Sequence, residues 1–261
     1  MMQRLLYDPV RYLPVPALQP FIKTFMIIEC DESRTNYVVP DTGIVMAFRY
    51  KGKVSWLADG DKGIFPAAAL TGLRKTHRSI LYDNNTANLL VVFRENGASA
   101  FFREPMNEVF GSNVPLEQLI PAHKLETVIT RLEEAGNNEA RVAIMENFLL
   151  MERREFQPDT LIEHAILQIK KAGGDLRMKS LLKELHISQD PFEKRFRRIV
   201  GATPKQFSTI TRLRNIINQP SASFTEKAYA AGYFDQAHFI KDFKAFTGKT
   251  PGEFYQSPNF W

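Results

Sequence analysis

The chain has 261 residues, of which 44% are hydrophobic and 24% are charged. This composition is typical of a globular protein with room for two domains and excludes a disordered chain. Its single cysteine, Cys30, excludes a disulfide framework and a multi-cysteine zinc site. The net charge of +5 is unevenly divided, because the part from Asp159 onward has 16 basic and 10 acidic residues whereas the part before it has 18 and 19.

Residues 1–20 are predicted to be an extended lead-in, since Pro9, Pro14, Pro16 and Pro20 disfavour helix there. The amino-terminus has no continuous apolar segment of the signal-peptide kind, and no run of about 18 apolar residues occurs in the sequence. We therefore expect a cytoplasmic protein with no membrane partner.

Residues 21–95 are predicted to form the strands of a small antiparallel barrel or sandwich. Their apolar runs are short, rich in β-branched and aromatic residues, and bounded by turn residues. Asp59-Gly60 and Asn84-Asn85 provide hairpin-type turns. The runs are FIKTFMIIE, TGIVMAFRY, KVSWLA, KGIFPAAALTG, HRSILYD and NLLVVFRE. Several aromatic residues of this region either form structural core, which the pattern favours, or line an effector cavity: Phe48, Trp56, Phe65 and Phe93.

After Gly97 the pattern becomes helical, first in the short segments ASAFFRE and LEQLI and then over residues 123–135 and 138–154. The apolar stripes of the two longer helices either pack on their own β-domain, which we favour, or form part of a dimer seam. The charged segment MERREFQPDT predicts a domain boundary, which divides the chain into residues 1–155 and 156–261. Strands followed by helices indicate an α+β chain with an all-α carboxyl-terminal domain.

The carboxyl-terminal domain contains an internal repeat with an offset of 47 residues. Each copy is predicted to be a helix, a tight turn, a second helix, a Gly stop and a Pro start. Predicted helices cover residues 161–172, 178–186, 189–200, 204–218, 225–231 and 235–246, with a last turn after Pro251; the helix of residues 204–218 links the two copies. The repeat pairs Phe192, Phe196, Ile199, Gly201, Thr203, Pro204 and Phe207 with Phe239, Phe243, Phe246, Gly248, Thr250, Pro251 and Phe254.

The phenylalanines of each second helix recur at the spacing of one buried face, so we expect core residues and not base-stacking platforms. The opposite faces then point outward. Between Arg177 and Arg214 there are ten basic residues against three acidic ones, which is an electrostatic footprint for nucleic acid or, alternatively, a solubilising face.

The region from about Asp175 to Phe254 resembles the DNA-binding domain of AraC/XylS-family transcription regulators. The second copy, AYAAGYFDQAHFIKDFKAFTGKTPGEF, is similar to that family's signature. The resemblance implies two helix-turn-helix motifs joined by a linker helix, and no enzymatic activity or cofactor. The implied base-contacting residues are Asp190, Glu193, Lys194, Gln236, Ala237, His238 and Lys241. The candidate phosphate-contacting residues are Arg197, Arg198, Lys205 and Lys244, although Lys205 fits a solvated surface lysine equally well.

The two copies differ in how well they suit DNA. The acidic Asp190 and Glu193 either accept from cytosine N4 or leave the first helix to act through its basic residues, and Ala237 offers only an apolar contact. We expect the second copy to contact bases, and we expect the denser basic flank of the first copy to contact the phosphate backbone of the DNA.

The amino-terminal part is similar to a compact sensory domain of the same family, which implies effector response or dimerisation. The implied partners are double-stranded DNA, a small-molecule effector, RNA polymerase and a second copy of the chain, and the implied role is that of a regulator such as an activator. The alternatives are an enzyme on a DNA-targeting arm and a dimerisation domain without a ligand. No nucleophile elbow, phosphate loop or metal-binding His pair supports the enzyme.

Overall fold

The computed structural model describes residues 9–58, 60–218 and 235–256. Within these ranges the amino-terminal part is built on two antiparallel sheets. The strands are β1 (Val10–Tyr12), β2 (Ile22–Cys30), β3 (Arg34–Val38), β4 (Val45–Lys51), β5 (Val54–Ala58), β6 (Asp61–Ile64), β7 (Ala68–Thr71), β8 (Arg78–Tyr82), β9 (Thr86–Phe93) and β10 (Asn113–Pro115). The first sheet has the order β1-β2-β9-β4-β7-β10, and the second has the order β3-β8-β5-β6.

Strand β4 shows how the first sheet separates two environments. Met46 and Phe48 belong to the main hydrophobic core, whereas the alternate residues Val45 and Ala47 line a cavity that the second sheet also borders. Successive side chains of a strand point to opposite faces, so one face of the sheet meets the helices and the other faces the second sheet. The arrangement is sandwich-like, which is one of the two predicted alternatives.

Helices α1 (Ala122–Glu134) and α2 (Asn138–Glu152) cover the core face of the first sheet. The ring of Phe148 packs edge-on against Phe48 with a centroid distance of 5.8 Å. The stripe residues Leu125, Val128, Leu132, Val142, Met145, Phe148 and Leu149 are all buried in the main core. Ile129 and Ile144 of the same stripes pack against that core but are partly buried. Most of each stripe therefore packs on its own β-domain, which is the alternative that the sequence favoured.

Several strands and helices of this part differ from the sequence prediction. The segment KGIFPAAALTG is not one strand but two, β6 and β7, which belong to different sheets. Pro66 lies between them and has no N–H to donate to a ladder, so the chain leaves one sheet there and enters the other. Strand β1 lies within the predicted lead-in, and β3 and β10 were not predicted, because all three are short and lack an alternating pattern. The two short helical segments expected after Gly97 are the 3-10 helices Gly97–Ala100 and Leu116–Gln118, and a third 3-10 helix, Met106–Val109, was not predicted.

The carboxyl-terminal helices follow the predicted bounds closely. Residues 153–159, which carry neither helix nor strand, precede them. The helices are α3 (Thr160–Lys171), α4 (Met178–Glu184), α5 (Gln189–Val200), α6 (Pro204–Asn218), α7 (Gln236–Thr247) and α8 (Pro251–Gln256). The predicted helix of residues 225–231 lies outside the described residues.

The 47-residue repeat extends to the backbone caps. Gly201 and Gly248 both end their helices in the left-handed region, with φ of 88° and 77°. That conformation suits glycine and closes a helix C-terminus. After each glycine, a threonine and the residue three positions later form a capping box. Thr203 pairs with Gln206 in this way, and Thr250 pairs with Glu253 in the second copy.

The phenylalanine clusters repeat as well. The rings of Phe192 and Phe196 are 5.7 Å apart between centroids, and those of Phe239 and Phe243 are 5.6 Å apart. All four side chains are at most 1% exposed. They are core residues, as predicted, and each cluster fixes the orientation of its second helix.

The first copy packs directly on the amino-terminal part. Helix α5 contacts the 3-10 helix Met106–Val109, and a Cβ atom at Gly201 would lie only 3.0 Å from the carbonyl oxygen of Met106. A glycine therefore serves both the helix end and the close approach of two backbones.

The linker helix and the second copy also contact the amino-terminal part. Arg214 of α6 forms an ion pair of 2.8 Å with Asp41. At the end of α7, Gly248 lies against the imidazole ring of His77, which leaves no room for a Cβ atom. His77 in turn stacks on Tyr37 with ring centroids 5.1 Å apart. Both copies and the linker are therefore in contact with the β-domain.

Candidate nucleic-acid interface and effector cavity

The outward face of α5 is basic in its second half. Lys194, Arg197 and Arg198 are exposed, and none of them takes part in an ion pair within the described part of the chain. Arg195, by contrast, pairs with Asp159 at 2.6 Å. Since Arg195 is tied to α3, Lys194, Arg197 and Arg198 are the basic side chains of this helix that suit an external anion.

The acidic residues at the start of α5 have local structural roles. Asp190 is exposed in the first turn, where a negative charge stabilises the helix dipole. Glu193 is half-buried, and it accepts a hydrogen bond of 2.9 Å from Gln189 Nε2. Both residues thus have a local place in the helix, and their base contacts stay a prediction.

The outward face of α7 carries the predicted residues of the second copy. Asp235 caps this helix by accepting from the N–H of Ala237 at 2.9 Å, so the first turn is fixed. His238 lies 3.6 Å from Asp242, one turn further on. The exposed residues of this face are Gln236, Ala237, His238, Lys241 and Lys244.

Lys205, the second residue of the linker helix, is exposed beside the end of α5. It lies two residues after Thr203, whose capping box fixes the turn. Lys205 thus lies in the first turn of α6, four residues after the glycine that ends α5. A phosphate at the amino-terminal end of α6 would meet both the lysine and the helix dipole.

A cavity of about 370 Å³ lies between the two sheets. Its wall is mainly apolar and includes Ile28, Val54, Phe65 and Leu90. Its volume is in the range of small-molecule sites in proteins.

Of the four aromatic residues considered for an effector cavity, Phe65 alone is among the residues that line this one. Phe48 and Phe93 lie on the other face of the first sheet and are fully buried in the main core. Trp56 packs against Gly63. Phe48 and Phe93 are thus structural core, which the sequence favoured, and the alternative that they line an effector cavity is wrong for them, because each alternates with residues that do face the cavity.

The charged residues around the cavity were not identified from the sequence. Asp41 and Arg214 border it, as do Arg74 and Arg78. One signal was available, because Arg78 is in phase with Ile80 and Tyr82, which also line the cavity, and a basic residue on an inward face is unusual. No such signal exists for Arg74, which follows β7 in a loop.

Burial and neighbouring charges shift the pKa values of these groups. Burial lowers the pKa of the Arg78 guanidinium to about 10. Burial also lowers the pKa of Arg74, and the neighbouring Arg78 adds to this effect. Burial raises the pKa of Asp41, but the attraction of Arg214 and Lys23 outweighs it, so that the pKa lies below its ordinary value. The cavity therefore holds a carboxylate that is already paired and two arginines in a poorly hydrated setting.

Other kinds of site were sought in the same part of the chain. Cys30 is buried at the end of β2, and burial raises the pKa of its thiol, as expected for an inert structural cysteine. The described residues contain no cluster of three or more His, Cys, Asp or Glu residues that could hold a metal ion. Among them, too, no helix has the length and apolar character needed to cross a membrane.

Two known proteins are similar to this chain over different lengths. ToxT from Vibrio cholerae aligns over 88% of this chain and 96% of its own, at 12% identity and a TM-score of 0.48. The Msm operon regulatory protein of Streptococcus mutans is 28% identical over 120 residues, which is 43% of this chain and 42% of that protein. The chain thus matches less than half of the length of this relative.

Two family models match separate parts of the chain. Residues 10–115 match a model described as a domain of unknown function (DUF6597). Residues 181–257 match a model described as a helix-turn-helix domain, and they contain the repeated units, caps and outward basic faces described above. The carboxyl-terminal region of this chain therefore contains a helix-turn-helix domain, as its repeated motif predicted.

Proposed function

We propose that the chain is a sequence-specific DNA-binding transcription regulator, in which the amino-terminal part modulates the double helix-turn-helix region. The observation that carries this proposal is the pair of equivalent helices, α5 and α7, with buried phenylalanine faces and exposed polar or basic faces. They lie within a region of the helix-turn-helix family, which is a family of DNA-binding domains and not of enzymes. Two such helices on one linker fit successive major grooves about 34 Å apart.

In this proposal α7 is the principal reader of bases. Gln236 and Lys241 offer side chains that pair with base edges, His238 contacts a base or a phosphate, and Ala237 offers an apolar contact. The exposure of all four residues supports these roles.

Helix α5 is proposed to supply more of the contacts with the phosphate backbone of the DNA. Its second half presents Lys194, Arg197 and Arg198, of which Lys194 is also placed to reach a base. Lys205 and Lys244 add phosphate contacts beside the first and second copies. Asp190 and Glu193 complete the proposed set of base contacts, and Glu193 would exchange its hydrogen bond from Gln189 for one from a base.

The amino-terminal part is proposed to be a regulatory domain that responds to a small molecule. The cavity between its sheets supports this role better than a domain for dimerisation alone, since a purely structural sandwich would fill the space with side chains. We take residues 1–155 and 156–261 as the two functional parts. Because a DNA-binding regulator acts where the DNA is, we propose a cytoplasmic site of action. The proposal also includes contact with RNA polymerase and assembly with a second copy of the chain.

Binding to promoter fragments tests the proposal. Labelled fragments from the region upstream of the gene and its neighbours would be titrated with the full chain at moderate salt, beside a random duplex of equal length. The proposal predicts at least one fragment bound about 1,000-fold more tightly than the random duplex. Affinities that stay within a few-fold of the random duplex for every fragment contradict sequence-specific binding.

A further inference from the structure

The wall of the cavity contains buried polar atoms that the described residues do not satisfy. The Nε atoms of Arg49, Arg74 and Arg78 and the Oδ1 atom of Asn88 are buried without a hydrogen-bond partner among the described residues. All four residues line the cavity. Because buried polar groups in folded proteins are almost always paired, this grouping indicates that the space takes a polar occupant.

The charge of the wall indicates the sign of that occupant. Among the described residues that line the cavity, Asp41 is the single carboxylate beside six basic residues, and it is paired with Arg214. No ion pair within the described ranges involves Arg74 or Arg78. Arg74 and Arg78 repel each other, and Asp41, the nearby carboxylate that attracts Arg74, is already paired with Arg214. An anion between the two guanidinium groups would reduce that repulsion.

Arg78 is already held in a binding orientation. Its Nη1 atom donates to Asn113 Oδ1 at 2.5 Å, and its guanidinium lies over the ring of Phe65 at 5.0 Å from the centroid. A fixed guanidinium loses little conformational entropy when it binds a carboxylate. The wall also includes the polar Thr71, whose Oγ1 accepts from Arg78 Nη2 at 3.5 Å, and the apolar residues Val54, Ile80 and Leu90.

We propose that this cavity binds a small monocarboxylate with an apolar body, with the carboxylate held by Arg74 and Arg78 and the body held between the sheets. A carboxylate matches the planar donor geometry of arginine, and the largely apolar wall would poorly solvate a more highly charged ligand such as a free phosphate. The regulatory meaning of the site rests on the proposed function, whereas binding itself does not.

The position of the site connects it to the DNA-binding region. Arg214, which borders the cavity, is part of the linker helix α6. The loop that carries Arg74 also carries His77, whose ring meets Gly248 at the end of α7. An anion bound at Arg74 and Arg78 thus acts on the loop that contacts the end of α7, the proposed base-reading helix.

Ligand binding is tested on the full chain with a size-graded panel of aliphatic and aromatic monocarboxylates, each beside its neutral primary amide. Inorganic phosphate serves as an anion without an apolar body. Melting temperature and calorimetric titration are measured, because a ligand that binds the native state raises the melting temperature. We expect saturable binding by carboxylates of one size range, with the matching amides and phosphate bound at least about tenfold more weakly.

Arg74→Met tests the assigned residue, with Lys75→Met, an exposed neighbour in the same loop, as the matched control. Arg74→Met should weaken the carboxylate at least about tenfold and leave the amide unchanged, while the control changes neither. The proposal is overturned by amides that bind as tightly as carboxylates, by the absence of binding across the panel, or by unchanged carboxylate affinity in a folded Arg74→Met chain. The carboxylate and amide comparison needs no variant and no DNA, so failure of DNA binding would leave its result intact.

Discussion

Replacement of Gln236 by alanine separates base reading from simple attraction to DNA. Gln236 is the first residue of α7 and is exposed. Alanine favours a helix, and the cap between Asp235 and Ala237 remains. We therefore expect the free energy of unfolding to change by no more than about 0.5 kcal/mol.

The expected loss of binding energy on the preferred duplex is about 1–3 kcal/mol if the amide pairs with a base edge. This corresponds to a loss of affinity of about 5- to 150-fold. Because the substitution removes no charge, affinity for random duplex and the salt dependence of binding should stay the same. Fluorescence anisotropy at several salt concentrations, on the preferred duplex and on single base-pair variants of it, measures all three quantities.

The first copy provides a matched control at the equivalent position. Gln189 begins α5, but its amide already donates to Glu193, so Gln189→Ala should change affinity by only about twofold. Lys205→Ala should weaken binding to all duplexes alike and lower the salt slope by about 1. A uniform loss across all duplexes for Gln236→Ala, or no loss at all, would refute its role in base reading.

Two further predictions concern the contacts between the β-domain and the helices. Gly248→Ala should destabilise the chain more than Gly111→Ala, although their φ angles are similar at 77° and 73°, because only Gly248 lies against the ring of His77. The left-handed backbone alone costs about 1–2 kcal/mol in each case, and equal losses in urea unfolding would contradict that contact. The ion pair of Asp41 with Arg214 should contribute stability that is present above the ordinary carboxyl pKa and lost as the pH falls below about 4, since the pKa of Asp41 is lowered in the folded chain. Asp41→Asn should therefore approach the stability of the unmodified chain at low pH, and a constant difference at every pH would contradict this reading.

The sequence predicted the carboxyl-terminal region well because its signals are local and occur twice. Three local signals determine each copy of the repeat. In the first copy they are the spacing of Phe192 and Phe196, the glycine that ends the helix at Gly201, and the capping box that starts at Thr203. The same signals recur 47 residues later. Helix α5 accordingly begins and ends where the sequence places it. The outward residues follow directly once the buried face is known.

The amino-terminal part was harder to predict because its first sheet is covered on both faces, by helices on one side and by the second sheet on the other. In such strands the apolar residues run continuously, so periodicity does not tell which face meets the helices and which meets the cavity. Phe48 and Phe93 were therefore candidates for the cavity, although they lie in the core. Arg74 and Arg78 depend on contacts between distant strands and loops, which no short stretch of sequence reveals.

Selection of bound sequences from a pool of random duplexes is the most direct test of the double reader. The full chain should enrich one bipartite site whose halves are centred about 10 base pairs apart, because α5 and α7 would enter successive major grooves on one face of the duplex. An inverted pair of such sites would indicate a dimer. A pool that remains random after repeated rounds at moderate salt would contradict the claim that this chain reads DNA sequence.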